Sequence, residues 1–489
     1  MQENDTDFSV PEGVPIYVDL DGTLISGDIL HESIFQAVRK NVFLIFMFPA
    51  WVLFRGLAYM KYKLATRCHM DPSILPYNLE FLHYLKNERE KGRRLVLTTA
   101  SSRLIAEKIF KYLGIFDNCI ASTKDENVKG ETKLKLIQSD CGNGIFCYAG
   151  NSNDDFPIWK ESKYAIIVNP SSPAIEPKVR NNGNMTYVFR MEHGKFLSLL
   201  RSFRPHQWVK NLLLFIPVLT AQRFLDLHAL YSSGLGAISF CLVASSAYVI
   251  NDIFDIESDR KHAGKRLRPI ACGAVSIPLA LASAFALLAA AALITALLPL
   301  KFALILLIYL FITTAYSVYL KRMVIVDILT LAGLYTIRII AGGAVAGISI
   351  SFWLLAFSVF IFLSLALVKR HSEISPLATH GESGKSPGRG YMGIDKAALG
   401  NMGIASGYVA ALVMALYIHS PEVVLRYDNV HYLWGVPPIL LYFVSRVWIL
   451  TCRGEMHDDP VLFAIKDRHC LVAGGLCLIL FMVASGVFY

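Results

Sequence analysis

Residues 245–273, SSAYVINDIFDIESDRKHAGKRLRPIACG, place four acidic side chains at the end of an apolar run and six basic ones directly after them. On a helix, Asn251, Asp255 and Asp259 would follow one another at i, i+4 and i+8. Asp252 would lie beside them. Like charges at this spacing repel, and carboxylates near lipid are costly to desolvate. Because Mg²⁺ binds a few carboxylates together with substrate phosphate oxygens, it would remove both costs. The spacing therefore predicts a Mg²⁺ site made by these four side chains.

The basic side chains that follow, Lys265, Arg266 and Arg268, suit the remaining charge of a phosphate group. The alternative is a solvated helix end followed by a cationic loop, which membrane proteins place on the cytoplasmic side. Three acids and an amide in register, with the cations directly after them, favour the interpretation as a metal and phosphate site.

Apolar residues make up 54% of the 489-residue chain and charged residues 17%, but they are unevenly distributed. Residues 1–198 have the charge load of a soluble α/β domain, whereas apolar stretches long enough to cross a bilayer recur after about 206. We expect two domains, 1–198 and 199–489. Lys and Arg concentrate in alternate loops of the second, which predicts that these loops and the N-terminal domain face the cytoplasm. The nine predicted spans are 208–225, 229–251, 277–298, 301–320, 324–346, 351–369, 399–418, 433–451 and 470–488.

The motif NDIFDIESDRKHAGKRLRP (251–269) resembles the first aspartate-rich motif of the UbiA superfamily of intramembrane prenyltransferases, which are all-helical proteins with nine spans. Asn251, Asp252, Asp255 and Asp259 fall on the polar positions of that motif. The resemblance, which covers about 200–489, implies that they hold Mg²⁺ and a diphosphate.

The loop after the sixth predicted span departs from the pattern of members that prenylate aromatic acceptors. Those members carry a second acidic cluster there, whereas residues 368–395 are basic and glycine-rich. The chain is similar instead to the decaprenyl-phosphate phosphoribosyltransferase branch of the superfamily. That similarity implies 5-phosphoribosyl diphosphate as the donor, a polyprenyl phosphate as the acceptor and a polyprenyl-phosphoryl-phosphoribose as the product. It rests on residues 204–219, 316–343, 365–374, 388–391 and 457–468.

The basic side chains of this half are candidates for phosphate contacts. The first group comprises Lys210 together with the three cations after the acidic motif. A second group could equally anchor the spans at the membrane interface. Arg338 lies deep in a span, where a polar partner or the substrate must meet it. Asp327 is a lone acid in residues 316–327, where the fourth and fifth predicted spans are connected. The second group is Lys321, Arg322, Lys369 and Arg370.

The N-terminal part places polar groups after short apolar strands, at the edge of a sheet where α/β proteins bind ligands. The four stretches VPIYVDLDGTLISGD, RRLVLTTASS, KGETKLKLI and CYAGNSNDDFPIW resemble the four motifs of the haloacid dehalogenase (HAD) phosphatase superfamily, over about 14–190. The resemblance implies a fixed set of roles for individual residues. These are Asp19 as nucleophile, Asp21 as acid/base, Thr99 (or Thr98) for phosphate binding, Lys133 for charge neutralisation, and Asp155 with Asp19 and Asp21 for Mg²⁺.

Two features of this domain leave alternatives open. Asn151 stands where the family usually has an acid, so a pseudo-phosphatase with a regulatory or docking role is an alternative to an active enzyme. Within the expected cap segment, about 30–90, the apolar run 41–65 is too short and too interrupted by proline to span a membrane. We expect it at the membrane face, with a buried cap helix as the alternative.

Together the two resemblances predict a Rossmann-like α/β HAD domain followed by an all-α UbiA-like membrane domain. The expected reaction is Mg²⁺-dependent transfer of phosphoribose to a polyprenyl phosphate, after which the HAD domain could remove the 5-phosphate. Rival interpretations are an aromatic prenyltransferase and a lipid-phosphate binder or transporter with a regulatory HAD domain. We expect a multi-pass protein of a bacterial inner membrane and no nucleic-acid partner, and the sequence leaves a homo-oligomer open.

Overall fold

The computed structural model describes residues 10–41, 43–190, 194–379, 389–424, 427–456 and 459–486. The chain forms two compact units. The first comprises Met1–Ser202 with Asp252–Ala282, and the second comprises Phe203–Asn251 with Ser283–Tyr489. The acidic motif from Asp252 onward and its cationic loop therefore belong to the same compact unit as the N-terminal sheet, although they lie far from it in sequence. The domain boundary at residue 199 stays a prediction.

A six-stranded parallel sheet with the order β3-β2-β1-β4-β5-β6 forms the centre of the first unit. In β1, Ile16 and Val18 enter the core on one face and Tyr17 enters the core on the other, so the sheet is covered on both sides. The strands β2 and β3 are added on one side of β1 and the strands β4 to β6 on its other side, so the strand order reverses between β1 and β4. Ligands bind at the carboxyl ends of the strands next to such a switch point. The strands are β1 Ile16–Asp19, β2 Leu95–Ser102, β3 Asn118–Ser122, β4 Cys147–Gly150, β5 Tyr164–Val168 and β6 Met185–Phe189.

Three helices lie between β1 and β2, where the cap segment is expected, and the others connect the later strands or follow β6. The first of them begins after Asp28, whose carboxylate accepts a hydrogen bond from the backbone N–H of His31. The helices are α1 Ile29–Lys40, α2 Leu44–Arg67, α3 Leu79–Glu90, α4 Arg103–Leu113, α5 Glu131–Cys141, α6 Phe156–Glu161, α7 Ile175–Arg180 and α8 Lys195–Ser202.

The cap helix α2 is bent at Gly56, which adopts a φ of +81°. Before the bend, the large side chains Phe46, Leu53 and Phe54 are each more than three-quarters exposed, whereas Leu64 after the bend is buried. The alternative of a buried cap helix is therefore wrong for the first half of α2. An exposed apolar face suits a position at the membrane surface, and that position stays a prediction.

The second unit is helical. Its elements begin with α9 Ile216–Thr220 and α10 Leu227–Phe254, and α11 Ile256–Lys261 lies in the first unit. The helix α12 Ile277–Thr295 starts in the first unit and continues into the second. The remaining helices are α13 Leu300–Val318, α14 Val326–Ala346, α15 Phe352–Thr379, α16 Lys396–Ile418, α17 Pro421–Val424, α18 Val436–Cys452, α19 Pro460–Lys466 and α20 Arg468–Ala484.

Among the described residues, eight helices are long and apolar enough to cross a membrane, or nine if α19 and α20, bent by 82°, count as one span. Eight of the predicted spans correspond to helices of this group, and α2 is the additional member. The expectation that the run 41–65 is too short to span a membrane is therefore wrong for the length and composition of this helix. The predicted span 208–225 is wrong. That segment is a 3₁₀ helix, Pro205–Phe215, followed by the five-residue α9. Within the predicted span, Pro217 lacks the backbone N–H that a continuous α-helix needs.

Candidate functional site

The carboxyl edge of the sheet in the first unit borders a cavity of about 740 Å³. Asp19 is the last residue of β1, Asp21 follows two residues later, and Asp155 lies in the turn after β4. All three line the cavity, together with Lys133 from α5 and Asn151. The strand ends thus bring together five of the residues singled out by the HAD resemblance.

Lys133 lies between two of the carboxylates. Its Nζ donates to Asp19 Oδ1 at 2.7 Å and is 3.8 Å from Asp155 Oδ1. Burial, to which the charges of Asp155 and Asp21 add, outweighs the attraction of Lys133 and raises the pKa of Asp19 to about 7. Burial lowers the pKa of Lys133, but the negative charges of Asp19 and Asp155 exceed that effect and raise it overall. The cluster therefore has more negative charge than one lysine neutralises.

Asp21 has the partners expected of a group that must be held in one orientation. Its carboxylate accepts hydrogen bonds from Ile29 N–H at 2.8 Å and from the Ser101 hydroxyl at 2.6 Å, with Thr99 Oγ1 at 3.4 Å. Burial and then the charge of Asp28 raise the pKa of Asp21 to about 6. A carboxyl with a pKa near neutrality can both give and take a proton, which suits an acid/base group.

The hydroxyl of Thr99, expected to bind phosphate, instead lies near Asp21 and accepts a hydrogen bond from Ser101 N–H. The Thr98 hydroxyl donates to the backbone of Val18. The residue of this strand end whose hydroxyl lines the cavity is Ser101, which the sequence analysis did not single out. Strand alternation could have found it, because residues 99 and 101 share a face.

We expect Ser101→Ala to lower phosphatase turnover by about tenfold or more, since a hydrogen bond to a charged group contributes about 1.5–3 kcal/mol. Steady-state hydrolysis of p-nitrophenyl phosphate measures the effect. The matched control is Ser102→Ala at the next position, which is not among the cavity-lining residues. Equal rates for the two variants would contradict the role given to Ser101.

Asn151 lies against Gly22, where a Cβ would come within 2.1 Å of the Asn151 amide nitrogen. Gly22 also has a φ of +76°, so both the contact with Asn151 and the backbone conformation exclude a side chain there. Asp155 Oδ2 accepts hydrogen bonds from the backbone N–H groups of Asn151 and Ser152, which organises the turn after β4. The amide of Asn151 is thus held at the cavity in place of the usual acid.

The donor set at this edge fits Mg²⁺ completed by a substrate. Across the described residues, no three His, Cys, Asp or Glu side chains converge closely enough to hold a metal by themselves. Mg²⁺ normally takes one or two carboxylates and fills its other positions with phosphate oxygens and water. Asp19 and Asp155, on either side of Lys133, offer two such carboxylates in a cluster with excess negative charge.

The acidic motif differs from the expected continuous ladder. The helix α10 ends at Phe254, Asp255 has non-helical dihedral angles, and α11 begins at Ile256. The expectation of one unbroken helix is therefore wrong. Asn251 and Asp255 are half-buried near the break.

The predicted phosphate ligand Arg268 joins two of the predicted metal ligands. Its Nη1 donates to Asp252 Oδ1 at 3.2 Å and to Asp259 Oδ2 at 2.6 Å. Both carboxylates are buried, and burial raises the pKa of Asp259 despite Arg268. Lys265 and Arg266 are exposed in the short 3₁₀ turn Lys265–Leu267. The structure thus brings three of the predicted residues together, and their metal role stays a prediction.

In the second unit, Lys210 and Lys369 converge on Asp459. The Nζ atoms lie 2.6 Å and 3.5 Å from Asp459 Oδ2, and Tyr335 donates to Oδ1 at 3.3 Å. Asp459 is not among the residues that the sequence predicts to act. The sequence feature that could have identified Asp459 is its position directly before Pro460, which is typical of a helix start. There it caps α19 by accepting a hydrogen bond from Val461 N–H.

Arg338, expected to need a partner inside its span, finds protein partners. Its Nε donates to Asn211 Oδ1 and its Nη2 to the Tyr309 hydroxyl, both at 2.9 Å. The guanidinium also lies 4.8 Å from the centre of the Tyr309 ring. These contacts within the unit therefore offset the desolvation free energy of the buried guanidinium. A contact of Arg338 with substrate stays a prediction.

Arg370 and Asp327 form an ion pair at 2.7 Å, with both side chains fully buried. Arg389 and the Tyr316 hydroxyl lie 3.3 Å and 2.8 Å from the same carboxylate. Arg370 is therefore not an interfacial anchor, and its pairing with Asp327 competes with any phosphate. Lys321 is half-buried and Arg322 is exposed in the turn Leu320–Arg322.

Arg370→Met should destabilise the protein by about 3–5 kcal/mol, because it leaves the Asp327 carboxylate buried without its main counter-ion. Chemical unfolding in detergent micelles measures the change. Arg453→Met, at an exposed arginine, is the control and should change stability by less than about 0.5 kcal/mol. A loss below 1 kcal/mol for Arg370→Met would show that Arg389 alone can satisfy Asp327.

Comparisons with known proteins agree with the families predicted for both halves of the chain. The model of the UbiA prenyltransferase family matches residues 213–466, and that of haloacid dehalogenase-like hydrolases matches residues 16–160. The protein y4nM of Sinorhizobium fredii is 35% identical over 474 residues, covering 96% of this chain and 91% of that protein.

Two shorter matches concern the membrane half. The nodulation protein NoeC of Azorhizobium caulinodans is 31% identical over 277 residues, which is 57% of this chain and 90% of NoeC. The decaprenyl-phosphate phosphoribosyltransferase of Mycolicibacterium smegmatis is 37% identical over 182 residues, which is 36% of this chain and 57% of that enzyme.

Both expected resemblances are thus confirmed, as are the parallel α/β fold of the N-terminal domain and the helical fold of the membrane domain. The apolar helices and the family match make this an integral membrane protein. The chain belongs to the UbiA prenyltransferase family and carries an N-terminal HAD domain.

Proposed function

We propose that the chain transfers 5-phosphoribose from 5-phosphoribosyl diphosphate to a polyprenyl phosphate and then removes the 5-phosphate from the lipid product. One combination carries the proposal. A region 37% identical to a decaprenyl-phosphate phosphoribosyltransferase is joined, in one chain, to a HAD domain with its carboxylates and lysine assembled.

In the transfer step, the anomeric C–O bond of the donor breaks and pyrophosphate leaves. An oxygen of the lipid phosphate forms the new bond to the anomeric carbon, so that no protein nucleophile is needed. Asp252, Asp255 and Asp259 with Asn251 would hold Mg²⁺, which would neutralise the charge that develops on the departing pyrophosphate. Arg268 would turn from its two carboxylates toward phosphate, joined by Lys265 and Arg266. The cations of the second unit, including Lys210 and Lys369, are proposed as further phosphate contacts.

In the hydrolytic step, a carboxylate oxygen of Asp19 attacks phosphorus and the bond from phosphorus to the ribose O5 breaks. Asp21 gives its proton to that oxygen and then takes one from the water that hydrolyses the aspartyl-phosphate, releasing inorganic phosphate. Lys133 and the hydroxyl of Ser101 would contact the phosphate oxygens. Asp19 and Asp155 would hold Mg²⁺ here, where it would reduce repulsion between the nucleophile and the phosphate. Tethering the two activities raises the effective concentration of the second.

The distribution of Lys and Arg among the loops supports a cytoplasmic location for both sites. In this orientation the water-soluble donor would reach the sites from the cytoplasm and the lipid acceptor from the membrane. The membrane itself is proposed to be a bacterial inner membrane.

The test is to incubate purified full-length protein with Mg²⁺, polyprenyl phosphate and ribose-labelled phosphoribosyl diphosphate. Label should enter the organic phase, and chromatographic mobility should show whether the product carries the 5-phosphate. Omitting Mg²⁺ should abolish transfer. Activity with a prenyl diphosphate and an aromatic acid, without label transfer, would replace the proposal by conventional prenyl transfer.

A further inference from the structure

The cavity at Asp19 is closed on one side by residues that lie more than two hundred positions later in the sequence. Gly273, Ala274, Ser276 and Leu279 line it together with the carboxylates of the strand ends. All of them belong to the first compact unit. The loop that follows the acidic motif is therefore part of the wall of the phosphatase cavity.

A buried ion pair holds this loop in place. The guanidinium of Arg260 in α11 makes two hydrogen bonds to the Glu32 carboxylate of α1, at 2.9 Å and 2.7 Å. Both side chains are less than a tenth exposed. The Nε of Arg260 donates to the backbone oxygen of Ala271 at 2.8 Å. One side chain thus connects helix α1, the acidic motif and the loop, in the bidentate geometry that suits Arg better than Lys.

Further contacts extend along the same two helices. Gln36 Nε2 lies 2.5 Å from Glu257 Oε1, and Arg39 Nη1 donates to Phe254 O at 2.9 Å. The rings of Phe35 and Phe254 meet edge-on, with their centroids 5.2 Å apart. Helix α1 therefore packs along the segment that contains the acidic motif over about two turns.

Gly273 brings the loop directly against the segment that carries Asp21. It has a φ of +78°, and a Cβ there would lie 2.8 Å from the carbonyl carbon of Ser26. Ser26 and Gly27 lie between Asp21 and Asp28, and both line the cavity. Because the contact is with backbone, a side chain at position 273 must displace one of the two segments.

The character of this wall differs from that of the cavity floor. The floor has Asp19, Lys133 and Asp155, which suit a phosphate. The wall continues to Leu279, a 43% exposed side chain in the first turn of α12, which is a helix apolar enough to cross a membrane. Leu57, from the apolar helix α2, also lines the cavity and is exposed. A substrate that fits both parts has a phosphate at one end and an apolar part close behind it.

We propose that the segment Arg260–Leu279 is a substrate-positioning wall of the HAD site, which selects a phosphorylated head group still attached to its polyprenyl lipid over a soluble sugar phosphate. This inference rests on the proposed phosphatase activity. In it, Arg260 and Gly273 are positioning residues, and Leu279 contacts the lipid part of the substrate.

The test compares two substrates on full-length protein in liposomes, namely polyprenyl-phosphoryl-5-phosphoribose and ribose 5-phosphate. Wild-type protein should have a kcat/KM at least about tenfold higher for the lipid-linked substrate. Leu279→Ser should lower this value about tenfold, mainly through KM, and leave ribose 5-phosphate hydrolysis within about twofold. Leu293→Ser, at an exposed leucine of the same helix that does not line the cavity, is the matched control and should change neither.

A second pair of variants tests the ion pair. Arg260→Gln should lower kcat/KM for the lipid-linked substrate by about tenfold or more, and the charge-exchanged double variant Glu32→Arg with Arg260→Glu should recover part of it. An equal loss with both substrates, or no loss for both Leu279→Ser and Arg260→Gln, would overturn the positioning role. Wild-type protein that prefers ribose 5-phosphate would overturn the inference alone. Hydrolysis of neither substrate would overturn the phosphatase proposal and this inference with it.

Discussion

Asp19→Asn should abolish removal of the 5-phosphate while phosphoribosyl transfer continues, so that the lipid product accumulates with its phosphate. Asn is nearly isosteric with Asp and can still contact Lys133, but it cannot attack phosphorus. Loss of a nucleophile that acts together with other groups costs about 10⁴-fold or more in turnover. The Asp19 carboxylate contacts Lys133 at 2.7 Å and lines the cavity with Asp21 and Asp155.

The measurement is chromatography of the labelled lipid after incubation with phosphoribosyl diphosphate, together with release of inorganic phosphate. The matched control is Asp125→Asn, which makes the same change at an exposed position and should behave as wild type. Dephosphorylated lipid formed by Asp19→Asn at the wild-type rate would exclude the HAD cavity as the phosphatase. If wild-type protein also leaves the phosphate in place, the HAD domain is a regulatory or docking module. The presence of Asn151, where the family usually has an acid, would be consistent with that role.

Asp252→Asn should reduce phosphoribosyl transfer by about 10²–10³-fold, because a metal that stabilises a leaving group contributes several kcal/mol to the barrier. The change also removes one of the two carboxylates that accept from Arg268, although Asp259 still holds that side chain at 2.6 Å. Raising the Mg²⁺ concentration should recover part of the activity, since the lost interaction is with the metal.

Transfer of labelled ribose to lipid over a Mg²⁺ titration measures this effect. Glu257→Gln removes an exposed carboxylate from α11, in the same motif, and should leave transfer within about twofold of wild type. Wild-type activity in Asp252→Asn would contradict the metal role of the acidic motif. A variant that binds polyprenyl phosphate as wild type does but transfers nothing would separate catalysis from lipid binding, and would exclude the interpretation as a simple binder.

The sequence was sufficient for features that depend on neighbouring residues. Of the nine spans predicted from apolar length, eight correspond to helices of the described residues that are long and apolar enough to cross a membrane. Apolar strands followed by acids predicted the position of Asp19 and Asp21 at the sheet edge. The prediction of a span at 208–225 was wrong because hydropathy does not register the effect of proline on backbone geometry. The break at Asp255 was missed because i, i+4 spacing assumes a helix that continues.

Pairings between distant residues depended on the tertiary structure. Asp459 approaches Lys210 across 249 positions, Arg370 pairs with Asp327, and Glu32 meets Arg260 across 228 positions. No local pattern distinguishes a cation that pairs with a buried carboxylate from one that binds a phosphate, because both appear as a basic residue at the end of an apolar run.

By itself, therefore, the sequence determined the two families, the helical membrane half and the chemical types at each strand end, since these follow from local composition and spacing. Only the tertiary structure decided that residues 252–282 join the compact unit of the HAD domain and that their loop lines its cavity. The physical reason is that burial and close approach set these contacts. Gly273 fits against Ser26, and Arg260 reaches Glu32, because of how the helices pack rather than where the residues lie in the chain.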